Sequence, residues 1–418
     1  MWLWSSFYRF TRHYINLYAF WKLKPIPIPD NPSYTSKDVT AIIPTINGDG
    51  HDLRQTIRTV LLNDPSEIVI STIDASHERA KKMVAAIGCK KIKIVTVPQA
   101  NKRRQLCRAI PEVTTRITLL VDDDVIWPET LLPWILAPFE NSKVGGVGTC
   151  QRLLREETTN MWNFLGAIYL ERRNFDCGSC TFMDGGLPCL SGRTVAYRTH
   201  ILQDSEFTYG FTHETWRGCL LNADDDNFIT RWMVNKGWNT YIQYHRECEV
   251  LTTLESGSRY LRQCQRWARS NWRSNLRSML LEGNIWIRHP WSSYAVFQTT
   301  LTAGAIYDLF MFFSLGLASA DSEWSPYWAL IMTGLAVFWV FTKISKVSGH
   351  YLRYPSDICY VPLQIAFGIF HTFCIKIPAF CTMNETTWGS REGADTDNAY
   401  RLQRLPPRTN DARHLSEK

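Results

Sequence analysis

The stretch Ile117-Thr118-Leu119-Leu120-Val121-Asp122-Asp123-Asp124 decides the fold. Its apolar and β-branched run reads as a strand buried on both faces, and the three carboxylates that end it read as a site. Working outward, Val39–Pro44, Glu67–Asp74, Lys91–Val97 and Arg116–Val121 are short runs of one kind, rich in Val, Ile and Thr. Between them His51–Asn63, Ala75–Ile87 and Asn101–Pro111 carry helical patterns. Strand and helix in alternation predict an α/β domain with a mostly parallel sheet covered on both faces. Ligands of such sheets bind at the carboxyl ends of the strands, so the residues just past each run matter most.

Those residues are acidic. Asp74 follows the second run and Asp122-Asp123-Asp124 the fourth. Adjacent carboxylates repel one another unless a cation or hydrogen-bond donors meet them. Oxygen ligands of this kind suit Mg2+ or Mn2+, which also bridges to substrate phosphates. A solvated turn capping the next helix is the plainer alternative. A second acidic run, Asp224-Asp225-Asp226, opens a helix expected over Asn227–Lys236, where capping accounts for the charge equally well. Lys102-Arg103-Arg104, just past the third strand, offers cations to a diphosphate. Neither a Walker loop nor a G-x-G-x-x-G turn occurs, so an ATPase or a dinucleotide enzyme is unsupported.

The net charge of +7 on 418 residues is localised. Residues 1–28 hold Arg9, Arg12, Lys22 and Lys24 without an acid, and residues 259–288 hold seven arginines against Glu282. Basic charge in two aromatic-rich blocks points to a membrane surface. Nucleic-acid binding would need it across the folded domain. The apolar run at the N-terminus is broken by Arg9, Arg12 and His13, which fits a helix lying in the headgroup region and not a signal peptide. Tyr294–Ala318 and Pro326–Thr342 are apolar enough to span, although the second is short for a bilayer. The link between them carries Asp321 and Glu323 but no Lys or Arg, whereas Lys343, Lys346, Arg353 and the arginine block flank the other side. By the positive-inside rule the domain before Tyr294 is cytoplasmic. A third segment, Ile358–Met383, is interrupted by Pro362, His371, Lys376 and Pro378. Lys376 has no evident partner at membrane depth, so an interfacial or re-entrant segment is expected there in preference to a third span. Twelve cysteines without a framework, Cys177-x-x-Cys180 being the one close pair, read as buried reduced thiols.

Gln263-Cys264-Gln265-Arg266-Trp267 stands inside the arginine block, just ahead of the membrane segments. Together with the acidic strand ends, this Q-x-x-R-W resembles the processive, membrane-integrated family-two glycosyltransferases, the group holding hyaluronan, chitin and cellulose synthases. Shortness and the basic aromatic N-terminus look most like the fungal type 2 polysaccharide synthases. The resemblance runs in order through Ile42-Ile43-Pro44-Thr45, Asp74-Ala75-Ser76, Asn101-Lys102-Arg103, Asp122-Asp123-Asp124, Leu190-Ser191-Gly192-Arg193 with Tyr197-Arg198, Asp225-Asp226-Asn227 and Thr387-Trp388-Gly389-Ser390-Arg391. Ala75, Asn101, Arg193 and Asn227 depart from the family's residues.

The resemblance implies a GT-A, Rossmann-like nucleotide-sugar-binding mixed sheet over 38–258. Residues 1–37 would form an interfacial helix, 259–293 interfacial helices, 294–383 the membrane region and 384–418 a polar tail. It further implies a UDP-sugar donor, Mn2+ or Mg2+, a growing polysaccharide acceptor and a lipid bilayer, with the enzyme multi-pass in the cell membrane. Asp74, Lys102, Asp122, Asp124 and Arg266 would bind the donor, Asp122 and Asp124 through the metal. Ser191, Gly192, Gln263 and Trp267 would face the acceptor. Asp226 would be the general base, supported by Asp225, Trp388 and Arg391. A single-transfer enzyme making a glycolipid is the competing reading; such enzymes usually lack Q-x-x-R-W. A degenerate transferase acting as a membrane adaptor is a third, against which Asp122, Asp124 and Asp226 all stand intact.

Overall fold

The computed structural model describes residues 2–155 and 160–386. Trp388, Arg391 and the rest of W-G-S-R therefore lie outside the described residues. Helix α1 (Trp2–Lys22) precedes a domain built from β1 (Val39–Pro44), α2 (His51–Leu62), β2 (Glu67–Ile73), α3 (His77–Ile87), β3 (Ile92–Val97), α4 (Lys102–Ala109) and β4 (Ile117–Val121). Strand β5 (Val144–Thr149), the long helix α5 (Met161–Asp184), β6 (Thr194–Arg198), α6 (Asp225–Lys236) and β7 (Asn239–Gln243) complete it. The sheet has seven strands in the order β7-β5-β6-β4-β1-β2-β3. Only β6 runs against its neighbours, and the other pairs are parallel.

Every residue of β1, β4 and β5 is buried, as a sheet with helices on both faces requires. Gly145 in β5 has a packing reason: a Cβ there would meet Trp238 at 2.8 Å. The predicted strands agree to within a residue. Helix α6 begins two residues earlier than expected, at Asp225, because Asp224 takes the left-handed conformation (φ +65°) and starts the turn.

Helix α7 (Gly257–Leu276) carries Q-x-x-R-W. Beyond it, the first apolar segment is bent. Tyr294–Ala318 is not a straight span but two helices, α8 (Pro290–Leu301) and α9 (Gly304–Ala320), bent by 81°. Thr302 and Ala303 are extended between them, which frees carbonyls at the break. Lys376 fills that need, its Nζ donating to the carbonyls of Thr299 at 2.5 Å and Thr302 at 2.9 Å. The partner that sequence reasoning could not find for Lys376 is thus the broken backbone. Two helices, Ser325–Arg353 and Pro355–Cys381, are long and apolar enough to cross a membrane, or three if the bent pair is one span. Within the first, α10 (Trp328–Ile344) packs antiparallel on α9, with the Trp328 indole N–H donating to the Gly316 carbonyl.

Candidate active site

The carboxyl ends of β1, β2 and β4 meet the start of α6 under helix α7. The Asp122-Asp123-Asp124 triplet does not stand as three bare charges. Asp122 accepts from Lys102 Nζ at 2.8 Å, Asp123 from Thr45 Oγ1 at 2.7 Å and Asp124 from Thr253 Oγ1 at 3.4 Å. The middle carboxylate, only 9% exposed, thereby pins the triplet to the end of β1. Asp122 and Asp124 face outward, half-buried. Asp74 is exposed just past β2.

Lys102 opens α4 and bridges the two acidic runs, 2.8 Å from Asp122 and 3.0 Å from Asp225. Burial alone would lower its pKa, but the two carboxylates more than offset that and hold the ammonium charged. Gly192 leaves room for this approach: a Cβ there would come within 3.2 Å of Nζ. Ser191, beside it, is buried and accepts from Arg193 Nη1 at 3.3 Å.

Asp226 lies behind this bridge. Burial raises its pKa first and the Asp225 charge next, against the Lys102 cation and the nearby Cys189 thiol. A carboxylate raised in this way is suited to general-base work near neutral pH. Asp226 is held by its own backbone: the Asn227 N–H donates to Oδ1 at 2.8 Å, and its carbonyl accepts from Thr230 Oγ1 at 2.7 Å. Asn227, which departs from the family's Arg, is buried, and its amide lies 3.5 Å from the same Asp226 Oδ1.

Helix α7 roofs the cluster. Arg266 lies near Asp224, Asp225 and Asp226, and burial pulls its pKa down against those three charges. Trp267 stacks on Tyr169 of α5, 4.7 Å between centroids and 14° between planes, so one indole face is already covered. The Arg193 guanidinium lies 5.6 Å from the same ring. Gln263 turns back along the chain to accept the Glu255 N–H at 3.3 Å.

Several residues that hold the site were not apparent in the sequence. Arg103, 1% exposed, points away from the cluster and donates to the carbonyls of Phe211, Ala223 and Asp224 and to Glu214. It buttresses the loop before α6, which removes it from the cations expected around a diphosphate. Asp224 is gripped by both arms of Arg273, Nε at 2.8 Å and Nη2 at 3.0 Å, and by Ser270. Arg273 also donates to the carbonyls of Met383 and Glu385, each at 3.0 Å. A signal existed: Arg266, Ser270 and Arg273 recur at helical spacing on one face of α7. Cys189, next to Asp226, had none. Burial keeps it a thiol.

Two outward carboxylates with a lysine cation against one of them form an oxygen donor set that fits a small hard cation. No group of three or more His, Cys, Asp or Glu positioned to hold a metal occurs among the described residues.

A family profile described as "Glycosyltransferase like family 2" matches residues 37–270. A type 2 glycosyltransferase of Zymoseptoria tritici is 55% identical over 97% of this chain and 88% of its own. A hyaluronan synthase of Streptococcus pyogenes is 23% identical over 88% of this chain and 85% of its own. Among solved structures, the mannosyltransferase PcManGT of Pyrobaculum calidifontis, in complex with GDP-Man and Mn2+, aligns with a TM-score of 0.54 and 16% identity. That alignment covers 84% of this chain and 98% of the other, and it identifies the mixed sheet as GT-A-like.

Proposed function

Because the chain belongs to the family-two glycosyltransferases, we propose that it polymerises a sugar from a UDP-sugar donor into an extracellular or cell-wall polysaccharide and passes the product across the membrane. One observation carries this reading. The helix that brings Arg266 and Trp267 over the aspartates also packs on the apolar helix Pro355–Cys381, where the Trp272 indole N–H donates to the Lys376 carbonyl at 3.0 Å and its ring lies 4.7 Å from Phe380. Chemistry and membrane region thus share one element, as a coupled synthesis and export would need.

The residues divide the work by their chemistry. Asp226, its basicity raised by burial, takes the proton from the acceptor hydroxyl as that oxygen attacks the anomeric carbon and UDP departs from the opposite face. Asp225 holds Lys102 close, and the ammonium offsets charge gathering on the departing diphosphate. Asp124 and Asp122 would hold Mn2+ or Mg2+, which when bound neutralises diphosphate charge; Mn2+ is the ion in the PcManGT complex. Asp74 reaches the uracil end, and Arg266 offers a forked donor to diphosphate or sugar oxygens. Ser191, Gly192, Gln263 and Trp267 line the acceptor side. With one face of Trp267 stacked on Tyr169, the acceptor sugar meets the remaining face or its edge.

Two spans suit the packing best. Helices α9 and α10 have 17 residues each, about 26 Å at 1.5 Å per residue, slightly under a typical hydrocarbon core. Both ends of Pro355–Cys381 return to the catalytic domain. Asp357 pairs with Arg155 at 2.9 and 3.2 Å and Tyr360 stacks on Phe164 of α5, while Phe380 meets α7. A helix anchored at both ends to one domain lies along the interface.

The test offers purified protein a panel of labelled UDP-sugars with Mn2+. A product that grows and is degraded only by a glycan hydrolase supports polymerisation. A single sugar extracted with lipid supports the glycolipid alternative and overturns the proposal.

A further inference from the structure

At the foot of the α9–α10 hairpin, α1, α5, α9, the last turn of α10 and the turn after it bring four cations together with two carboxylates. Asp308 sits between Arg9 at 3.1 Å and Lys343 at 2.6 Å and is shared by both. Asp176 lies 3.8 Å from Arg12, whose other contacts are the Ala295 carbonyl at 2.8 Å and Thr299 Oγ1. Lys346, in the turn Ser345–Val347, lies within electrostatic reach of Arg9, Arg12, Lys343 and Asp176. Among the described residues it makes no hydrogen bond or ion pair. His13, 3% exposed, bonds Ser345 through Nε2 at 3.1 Å, while its Nδ1 is buried without a partner. The charges of Lys346, Arg9, Arg12 and Lys343 all reach the ring.

An excess of inward-facing positive charge is costly unless an anion or solvent answers it. A phosphate group supplies what the cluster lacks. It accepts from an ammonium, a guanidinium and an imidazole N–H at once, and it carries the missing negative charge. The location fits such a group, because Tyr14, Tyr18 and Trp21 are exposed along α1, and such aromatic side chains favour the headgroup layer.

We propose that Lys346, Arg12 and His13 form a binding site for a phosphate-bearing anion at the foot of the hairpin, separate from the donor site under α7. Two sources share this chemistry, an acidic phospholipid headgroup and a soluble phosphate.

Thermal melting of the full chain, followed by tryptophan fluorescence, tests the site in two settings. One is nanodiscs of phosphatidylcholine with and without phosphatidylglycerol. The other is detergent micelles with and without inorganic phosphate. The wild type is expected to melt about 2–4 °C higher with the phosphate group present, through binding to the native state alone. A rise in nanodiscs only identifies the lipid, and a rise in micelles as well identifies soluble phosphate. Lys346→Gln should abolish the rise and, in phosphatidylcholine alone, melt no lower than the wild type, since it removes an unanswered cation. Lys346→Arg should keep the rise. A wild type that responds to neither source overturns the site. So does a Lys346→Gln protein that responds like the wild type, because the effect would then be general attraction to an acidic surface. Should Lys346→Gln fail to fold, Arg12→Gln carries the same comparison.

Discussion

Replacing Arg273 with Gln isolates what holds Asp224, Asp225 and Asp226 in place. Arg273 and Asp224 are 2% and 5% exposed, and their two-armed pair closes at 2.8 and 3.0 Å. Removing one partner of a buried ion pair costs about 3–5 kcal/mol, because the other charge is left unanswered. The left-handed backbone at Asp224, itself costing ~1–2 kcal/mol for a residue other than glycine, loses its main restraint at the same time. Native stabilities of about 5–15 kcal/mol make this a large fraction. At about 2–4 °C per kcal/mol the melting point should fall by roughly 6–20 °C. The pH dependence has a defined sign. Burial raises the Asp224 pKa, but Arg273 and Ser270 outweigh it, so the native value lies below the ordinary one. The pair therefore stabilises fully above about pH 4, the unfolded carboxylate range, and the gap between wild type and variant closes as pH falls through the native value. Because Asp224 adjoins Asp225 and Asp226, kcat should fall with stability. The double variant Asp224→Leu with Arg273→Leu should recover part of the melting temperature, since an apolar pair can replace a buried ionic one although leucine is strained at φ +65°, but not kcat. A single variant with unchanged melting and turnover would refute the reasoning. A double variant that regained turnover would show that the pair supports only the fold.

Four further outcomes follow from the geometry. Asp226→Asn should lower kcat by about 10² to 10⁴ while UDP binding, measured by calorimetry, stays near that of the wild type; near-normal turnover would leave Asp226 a helix cap. In the wild type kcat/KM should drop as pH falls through a value above the ordinary carboxylate range, since burial and Asp225 raise the Asp226 pKa. Asp124→Ala should make UDP affinity insensitive to Mn2+, and a wild type equally insensitive would remove the metal from these residues. With two spans, protease should reach a tag placed after Lys418 only from the side of the catalytic domain, and Asn384, whose side chain accepts from Arg217 at 3.2 Å, should stay unglycosylated; endoglycosidase-sensitive Asn384 would mean three.

The sequence determined what local pattern can encode. Period and composition placed β1 to β4 and their helices, because a strand buried on both faces must be apolar throughout. Clustered charge drew attention to Asp122-Asp123-Asp124, Asp224-Asp225-Asp226 and Lys102-Arg103-Arg104, and the resemblance chose Asp122, Asp124, Lys102 and Asp226 among them. The ordered motifs supplied the family. The tertiary structure decided everything that depends on which distant groups meet. Arg103 and Lys102 are neighbours in the chain, yet helical rotation buries one under the α6 loop and turns the other into the site. Tyr169 covers one face of Trp267 from a hundred residues away, and Arg273 reaches both Asp224 and the chain after Cys381. The apolar run Tyr294–Ala318 breaks where Lys376, far along the chain, satisfies its freed carbonyls. Hydropathy registers how apolar a segment is, but whether a helix may break depends on a donor arriving from elsewhere, and only the folded chain brings it there.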